Sequence, residues 1–373
     1  MTDRTPTGHR PDSTQDGSEL TPTTVRRITR AVLSAAPGAS AIAIGLHHKG
    51  HRALLVRGHT TRHRHTPADA GTRFEAGSLT KTFTALLAAE QAAHGTLELH
   101  DPLARHLPAG TRLPQRATAI TLTHLATHTS ALPRLPPGLH RRAGLKLFSN
   151  PYAHFTPDDL LHALARTTLR TTPGTRVRYS NFGVALLGHA LTHAAGDTPY
   201  PALLRDRVLQ PLGLHDTSCT TTPAQAGTQA TGYRYGRARP PLLIPGLPAA
   251  GALRTSARDL LALTEALINP ATATVPTALR TALRDIPRPR IRLPHGRGLS
   301  LIWNIRQRPD GSHVYHHSGA TCGFTTFAGF NPHHSTALVA LANTGPSPRN
   351  TLTQQAYNAL LDLQHQEDVR LNA

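Results

Sequence analysis

Phe74-Glu-Ala-Gly-Ser-Leu-Thr-Lys81-Thr-Phe83 is the stretch on which the reading of this chain turns. Ser78 and Lys81 stand three apart at the start of an apolar-periodic run, so on a helix they face the same way. An amine held beside a hydroxyl can help remove its proton and make the oxygen a nucleophile. The lysine stands out because lysine is scarce. Only Lys49, Lys81 and Lys146 occur among 40 basic side chains. The helix carries Leu79, Phe83, Leu86 and Leu87 on one face and is predicted to stop at Gly95.

Outward from this segment, Pro22 to Ala36 reads as a helix with Thr21 as its cap, followed by strands Ala41 to Leu46 and Arg52 to Arg57 joined near Lys49-Gly50. The middle is helical. Thr156-Pro-Asp-Asp159 opens one helix, Phe182 to Ala195 forms another, and Ser256 caps a third that closes before Asn269-Pro270. Strands return at Ser312 to Ser318, Gly323 to Phe330 and Thr336 to Ala342, with a final helix from Thr351 to Gln364. Strand pair, helical insert and a three-strand meander define an α+β fold, and the early strands can join the same sheet.

Two further segments carry polar groups suited to chemistry. Arg178-Tyr-Ser-Asn181 precedes the Phe182 helix, and Tyr179 and Asn181 share a side of extended backbone. A phenol near a lysine can relay a proton, and an amide can hold a substrate carbonyl. As plain structure, this would be a polar loop with Asn181 as helix cap. His316-His317-Ser318-Gly319-Ala320 ends a strand, with residues 317 and 319 on one face. Gly319 is expected to let a substrate backbone lie close, and His317 to donate a hydrogen bond or carry charge. The plain alternative is a strand end before a glycine turn.

Together the three segments resemble the serine β-lactamase and penicillin-binding-protein superfamily, in the branch of class C β-lactamases, D-amino-acid peptidases and carboxylesterases. Its motifs take the forms Ser78-Leu-Thr-Lys81, Tyr179-Ser-Asn181 and His317-Ser-Gly319. Also similar to that family are Thr123-His-Leu-Ala-Thr-His-Thr-Ser-Ala-Leu-Pro133, Thr172 to Gly183, Gln210 to Thr217, Ala250 to Asp259, and Asn331 to Gly345. The resemblance implies an antiparallel five-stranded sheet flanked by helices, with an inserted helical lobe. It implies Ser78 as acylated nucleophile, Lys81 as its activator and Tyr179 as proton relay, with the choice of base between the last two left open. Asn181, His317, Ser318, Gly319 and Ala320 would bind substrate, the backbone N–H groups of Ser78 and Ala320 forming an oxyanion hole. Two positions depart from the pattern. His317 replaces the lysine of lactamases, which favours peptidase or esterase chemistry over lactam hydrolysis. Ala131 and Ala252 replace glycines, which puts loop geometry in question.

The domain organisation expected is a polar disordered tail over residues 1–20 and one catalytic domain over 21–373. Its sheet lobe would span about 21–75 and 290–373, and its helical lobe about 76–289. The polar start has no apolar leader and no run of about 18 apolar residues occurs, which gives the expectation of a cytoplasmic protein without a membrane partner. A formal charge of +19 raises nucleic acid as a partner. The arginines are spread along the chain and aromatics make up 4%, so specific nucleic-acid binding is not expected. Cys219 and Cys322 fit no disulfide framework or zinc motif. His124 and His128, four apart, suggest no third ligand, so neither a metal nor a cofactor is expected. The partner expected is a small-molecule or peptide-like acyl compound. The leading function is a serine hydrolase acting on an ester or amide. An acyl transferase using the same acyl-enzyme, and a non-catalytic binding or sensory protein, are the alternatives. Oligomeric state and substrate identity are not legible.

Overall fold

The computed structural model describes residues 20–63, 66–144, 150–220 and 227–364. The expected polar tail lies, up to residue 19, outside the described residues. Helix α1 (Pro22–Ser34) begins where Thr21 accepts the Thr24 N–H at 3.2 Å, with proline in its first turn. Strands β1 (Ala41–His48) and β2 (His51–Gly58) form a hairpin whose turn residues Lys49 and Gly50 both have positive φ. Helix α2 (Thr80–His94) ends at Gly95, whose φ of 82° suits a residue without a side chain.

The middle supplies α3 (Pro157–Ala165), opened by a reciprocal Thr156–Asp159 cap, and α4 (Asn181–Ala194). Helices α5 (Ala257–Ile268), capped by Ser256, and α6 (Thr277–Asp285) follow. Next come β3 (Ile291–Leu293), β4 (Arg297–Leu299), β5 (Asn304–Gln307), β6 (His313–Ala320), β7 (Thr325–Asn331) and β8 (Thr336–Ala342). Helix α7 (Leu352–Gln364) closes the described chain.

All eight strands form one antiparallel sheet in the order β2-β1-β8-β7-β6-β5-β4-β3. The five expected strands are the contiguous block from β2 to β6. The expectation of five is corrected to eight by β3, β4 and β5. These are three or four residues long and rich in arginine, too short to show a period-two pattern in the sequence.

Every residue of β8 is buried, because helices cover the sheet on both faces. Leu338, Ala340 and Ala342 pack with Ile44, Leu46 and Phe327 against Ile28 and Val32 of α1 and Leu352 and Leu360 of α7. Val339 and Leu341, one residue out of phase, join Ala43 and Ala328 in a core shared with α2, α4 and α5. A two-residue pairing outside the large sheet sets Phe74 opposite Thr255 and Glu75 opposite Arg254. It ties the segment before Ser78 to the start of α5. No helix among the described residues is long and apolar enough to cross a membrane.

Candidate active site

Ser78 lies in one turn of 3-10 helix, Gly77–Leu79, that runs directly into α2. The end of β6 is pressed against this turn. A Cβ on Gly77, whose φ is 53°, would stand 2.7 Å from the Ala320 N and O atoms. A Cβ on Gly319 would stand 1.9 Å from the Ala76 carbonyl oxygen. Thr326 Oγ1 donates to that same oxygen at 2.9 Å. Gly319 therefore also has a structural role that the sequence did not suggest. The space its missing side chain leaves is filled by the protein's own backbone, which brings the Ala320 main chain beside Ser78.

Lys81 Nζ donates to Ser78 Oγ at 3.0 Å and to the Ala250 carbonyl at 2.7 Å. Tyr179 OH donates to Ser78 Oγ at 2.7 Å. Lys81 is fully buried, and burial, reinforced by the Arg134 guanidinium, pulls its ammonium down to about 7. Burial pushes the Tyr179 phenol up, while its bond to Ser78 and the charge of Arg134 oppose the shift. The hydroxyl thus sits between an amine substantially neutral near pH 7 and a phenol that keeps its proton.

The loop from His128 to Arg134 holds the second segment in place. His128 O accepts from Arg178 N at 2.7 Å, Pro133 O from Ser180 Oγ at 2.7 Å, and Arg134 O from Asn181 N at 2.9 Å. The His128 ring lies 4.5 Å from the Tyr179 ring, and its Nδ1 accepts from Ser180 N at 3.3 Å. Burial and Lys81 lower its pKa to about 3, so it is neutral. Ala131 in this loop has a φ of 62°, a left-handed conformation that glycine would adopt without strain. Ala252, the other departure, is ordinarily helical. Sequence reasoning gave His128, Arg134 and Tyr152 no role at the site; of the three, only His128 falls in the Thr123 to Pro133 stretch that carries the family resemblance.

Asn181 is not the cap of α4. Ser180 takes that place, accepting the Gly183 N–H at 2.8 Å, and Asn181 is freed for other contacts. The Tyr152 phenol is hydrogen-bonded to the Asn181 side chain, whose Oδ1 is buried and has no partner among the described residues. The Arg134 guanidinium lies 5.6 Å from the Tyr179 ring centroid, and Lys81 Nζ lies 5.2 Å from it.

His317 is buried and feels Lys81 and His128, and burial with those neighbours holds its pKa well below the usual histidine value. It is a neutral imidazole, which corrects the option that it carries charge. Ser318 is exposed and lies on the opposite face of β6, so its side chain does not meet Ser78, Lys81 and Tyr179. His124 is absorbed in a helix cap, accepting from Thr121 N at 3.2 Å. Among the described residues no cluster of His, Cys, Asp or Glu has metal-holding geometry, and Cys219 and Cys322 are free thiols.

Comparison with known proteins places this geometry. D-alanyl-D-alanine-carboxypeptidase/endopeptidase AmpH of Escherichia coli K12 is 40% identical over 151 residues, 40% of this chain and 37% of that protein. A beta-lactamase of Pseudomonas fluorescens is 35% identical over 208 residues, 55% of this chain and 53% of that protein. A beta-lactamase of Lysobacter lactamgenus is 26% identical over 335 residues, covering 81% of this chain and 82% of its own. The chain thus matches less than two thirds of the length of the first two relatives. The Beta-lactamase family model, by contrast, matches residues 25–362 continuously. With that match laid over Ser78, Lys81 and Tyr179 in mutual contact, the chain belongs to the beta-lactamase family.

Proposed function

We propose that the protein is a serine hydrolase that cleaves an ester or amide through an acyl-Ser78 intermediate. The observation that carries this reading is Ser78 Oγ held at 3.0 Å from Lys81 Nζ and 2.7 Å from Tyr179 OH, with the amine lowered to about 7. Of the two candidate bases, the neutral Lys81 amine is better placed to take the Ser78 proton, because the Tyr179 phenol is pushed up and keeps its own. As Oγ attacks the substrate carbonyl, the proton passes to Lys81. The developing oxyanion faces the backbone N–H groups of Ser78 and Ala320. Collapse expels the alcohol or amine, protonated by Tyr179, which recovers its proton from Lys81. Water then attacks the acyl-serine and the same pair returns the proton to Oγ. Asn181, with an unpartnered acceptor, would take a donor on the acyl side.

The neutral His317 supplies no fixed positive charge where a lactamase would have lysine. This supports peptidase or esterase activity over lactam hydrolysis. Intact-mass spectrometry after incubation with a fluorophosphonate probe, a penicillin and a short-chain ester tests the reading, wild type beside Ser78→Ala. The expected result is a covalent adduct and ester turnover in the wild type, both lost in the variant. Undiminished turnover by Ser78→Ala would sink the proposal.

A further inference from the structure

A cavity of about 1170 Å³ lies beside the catalytic groups without containing them. Its walls are mainly apolar: Leu160 of α3, Tyr200, Leu242, Leu243, Ile244 and Phe324. Prolines at 241, 245 and 248 stiffen the loop that forms one side. Leu243 is 60% exposed, and among the large hydrophobic side chains of the described residues only Tyr235 stands more open. The volume is at the upper end for a small-molecule site, and the lining suits hydrocarbon.

Two charged side chains at the cavity, Glu75 and Arg254, help to build its wall. Glu75 accepts the Leu242 N–H at 2.7 Å through one oxygen and Thr321 Oγ1 at 2.7 Å through the other. Arg254, paired across from Glu75, donates to the Leu242 carbonyl at 3.2 Å and to the Cys219 carbonyl at 3.3 Å. Leu242 is thus clamped at both its N–H and its carbonyl, and the wall is preformed. What remains for a ligand is mainly apolar surface, with His189 Nε2 and Gln229 Oε1 as buried polar atoms without a partner among the described residues.

Two lining segments adjoin the catalytic centre along the chain. Glu75 precedes Ser78 by three residues and holds Thr321, the neighbour of Ala320. Ala249 and Ala252 line the cavity and flank Ala250, whose carbonyl receives Lys81 Nζ. We infer that this cavity seats a hydrocarbon arm of the substrate, so that the acyl compounds turned over are those with an extended apolar chain. This inference rests on the hydrolase reading above and names its substrate class.

The test compares kcat/KM for p-nitrophenyl acetate and p-nitrophenyl octanoate. Each buried methylene is expected to raise kcat/KM roughly two- to four-fold, so with six more methylenes the octanoate-to-acetate ratio in the wild type should reach at least about sixty. Leu160→Trp, which fills the cavity, should cut that ratio at least about five-fold. Leu243→Glu, at an exposed position where folding is spared, should cut it in the same direction. A ratio near one in the wild type, or one that neither variant moves, overturns the inference. Calorimetry of octanoate with Ser78→Ala separates this failure from failure of the hydrolase reading. Where no ester is turned over, octanoate binding that Leu160→Trp removes upholds the apolar seat, and no binding overturns it.

Discussion

Lys81 is a fully buried cation-forming group whose hydrogen-bond partners are a hydroxyl and a carbonyl. Nothing there compensates an ammonium, so burial favours the neutral amine, and Arg134 pushes the same way. His128 and His317 stand near it as neutral imidazoles and add no countercharge. Because proton abstraction needs the neutral amine, kcat/KM should rise with pH through about 7. Arg134→Ala removes the repulsive charge, so the Lys81 pKa rises and the acid limb of the pH–rate profile moves to higher pH. Arg134→Lys keeps a cation there and should leave the limb close to the wild-type position. An acid limb that Arg134→Ala does not move would refute the role given to its charge. The pairing of Ser78 with Lys81 was legible because three residues on a helix fix it. The Ala250 acceptor, 169 residues from Lys81, was not, since only the folded chain brings that carbonyl to the amine. Arg134 was equally silent in a sequence crowded with arginine.

The helix carrying Ser78 and Lys81 is aligned by its contact with β6, and that contact depends on two missing side chains. At Gly319 a methyl group would meet the Ala76 carbonyl oxygen at 1.9 Å, against a backbone that cannot rotate away. Gly319→Ala should therefore push the end of β6 from the Ser78 turn, costing about 1–3 kcal/mol of stability. Displacing the Ala320 N–H from the reacting carbonyl should lower kcat/KM by roughly 10²-fold. Denaturant unfolding and steady-state kinetics on the one variant check both; an unperturbed enzyme would show that the strand end can yield. The elements themselves were read well where a signal was local. Thr21, Thr156 and Ser256 mark helix starts through side-chain caps, and Gly95 marks a helix end through its left-handed backbone. Strands β3 to β5 carry no such local signal, because a strand of three or four residues gains its identity from the neighbour it pairs with.

At the scale of the whole molecule, the charge is overwhelmingly arginine, which keeps its proton throughout the range in which proteins stay folded. Histidines are largely neutral above pH 7.5. With three lysines in the chain, few groups titrate differently in the folded and unfolded states between pH 7 and pH 9. Lys81 is the chief one. Unfolded, it has the ordinary lysine pKa of 10.5 and binds a proton through this window; folded, at about 7, it has mostly lost it. The unfolded state then binds more protons, so stability rises with pH from about 7 towards 10.5. From pH 7 to pH 9 the gain is about 2 kcal/mol. Cys219 acts in the opposite sense above its ordinary value of 9.0, because burial pushes its thiol up to about 12 and the unfolded chain releases that proton first. The measurement is chemical denaturation of wild type and Lys81→Met at pH 7 and pH 9. Wild-type stability should climb by the stated amount while the variant's stays level or falls, because Cys219 is then left without opposition. An equal climb in both proteins would mean that the amine keeps its proton up to pH 9 in the fold, and the base proposed for Ser78 would have to be sought elsewhere.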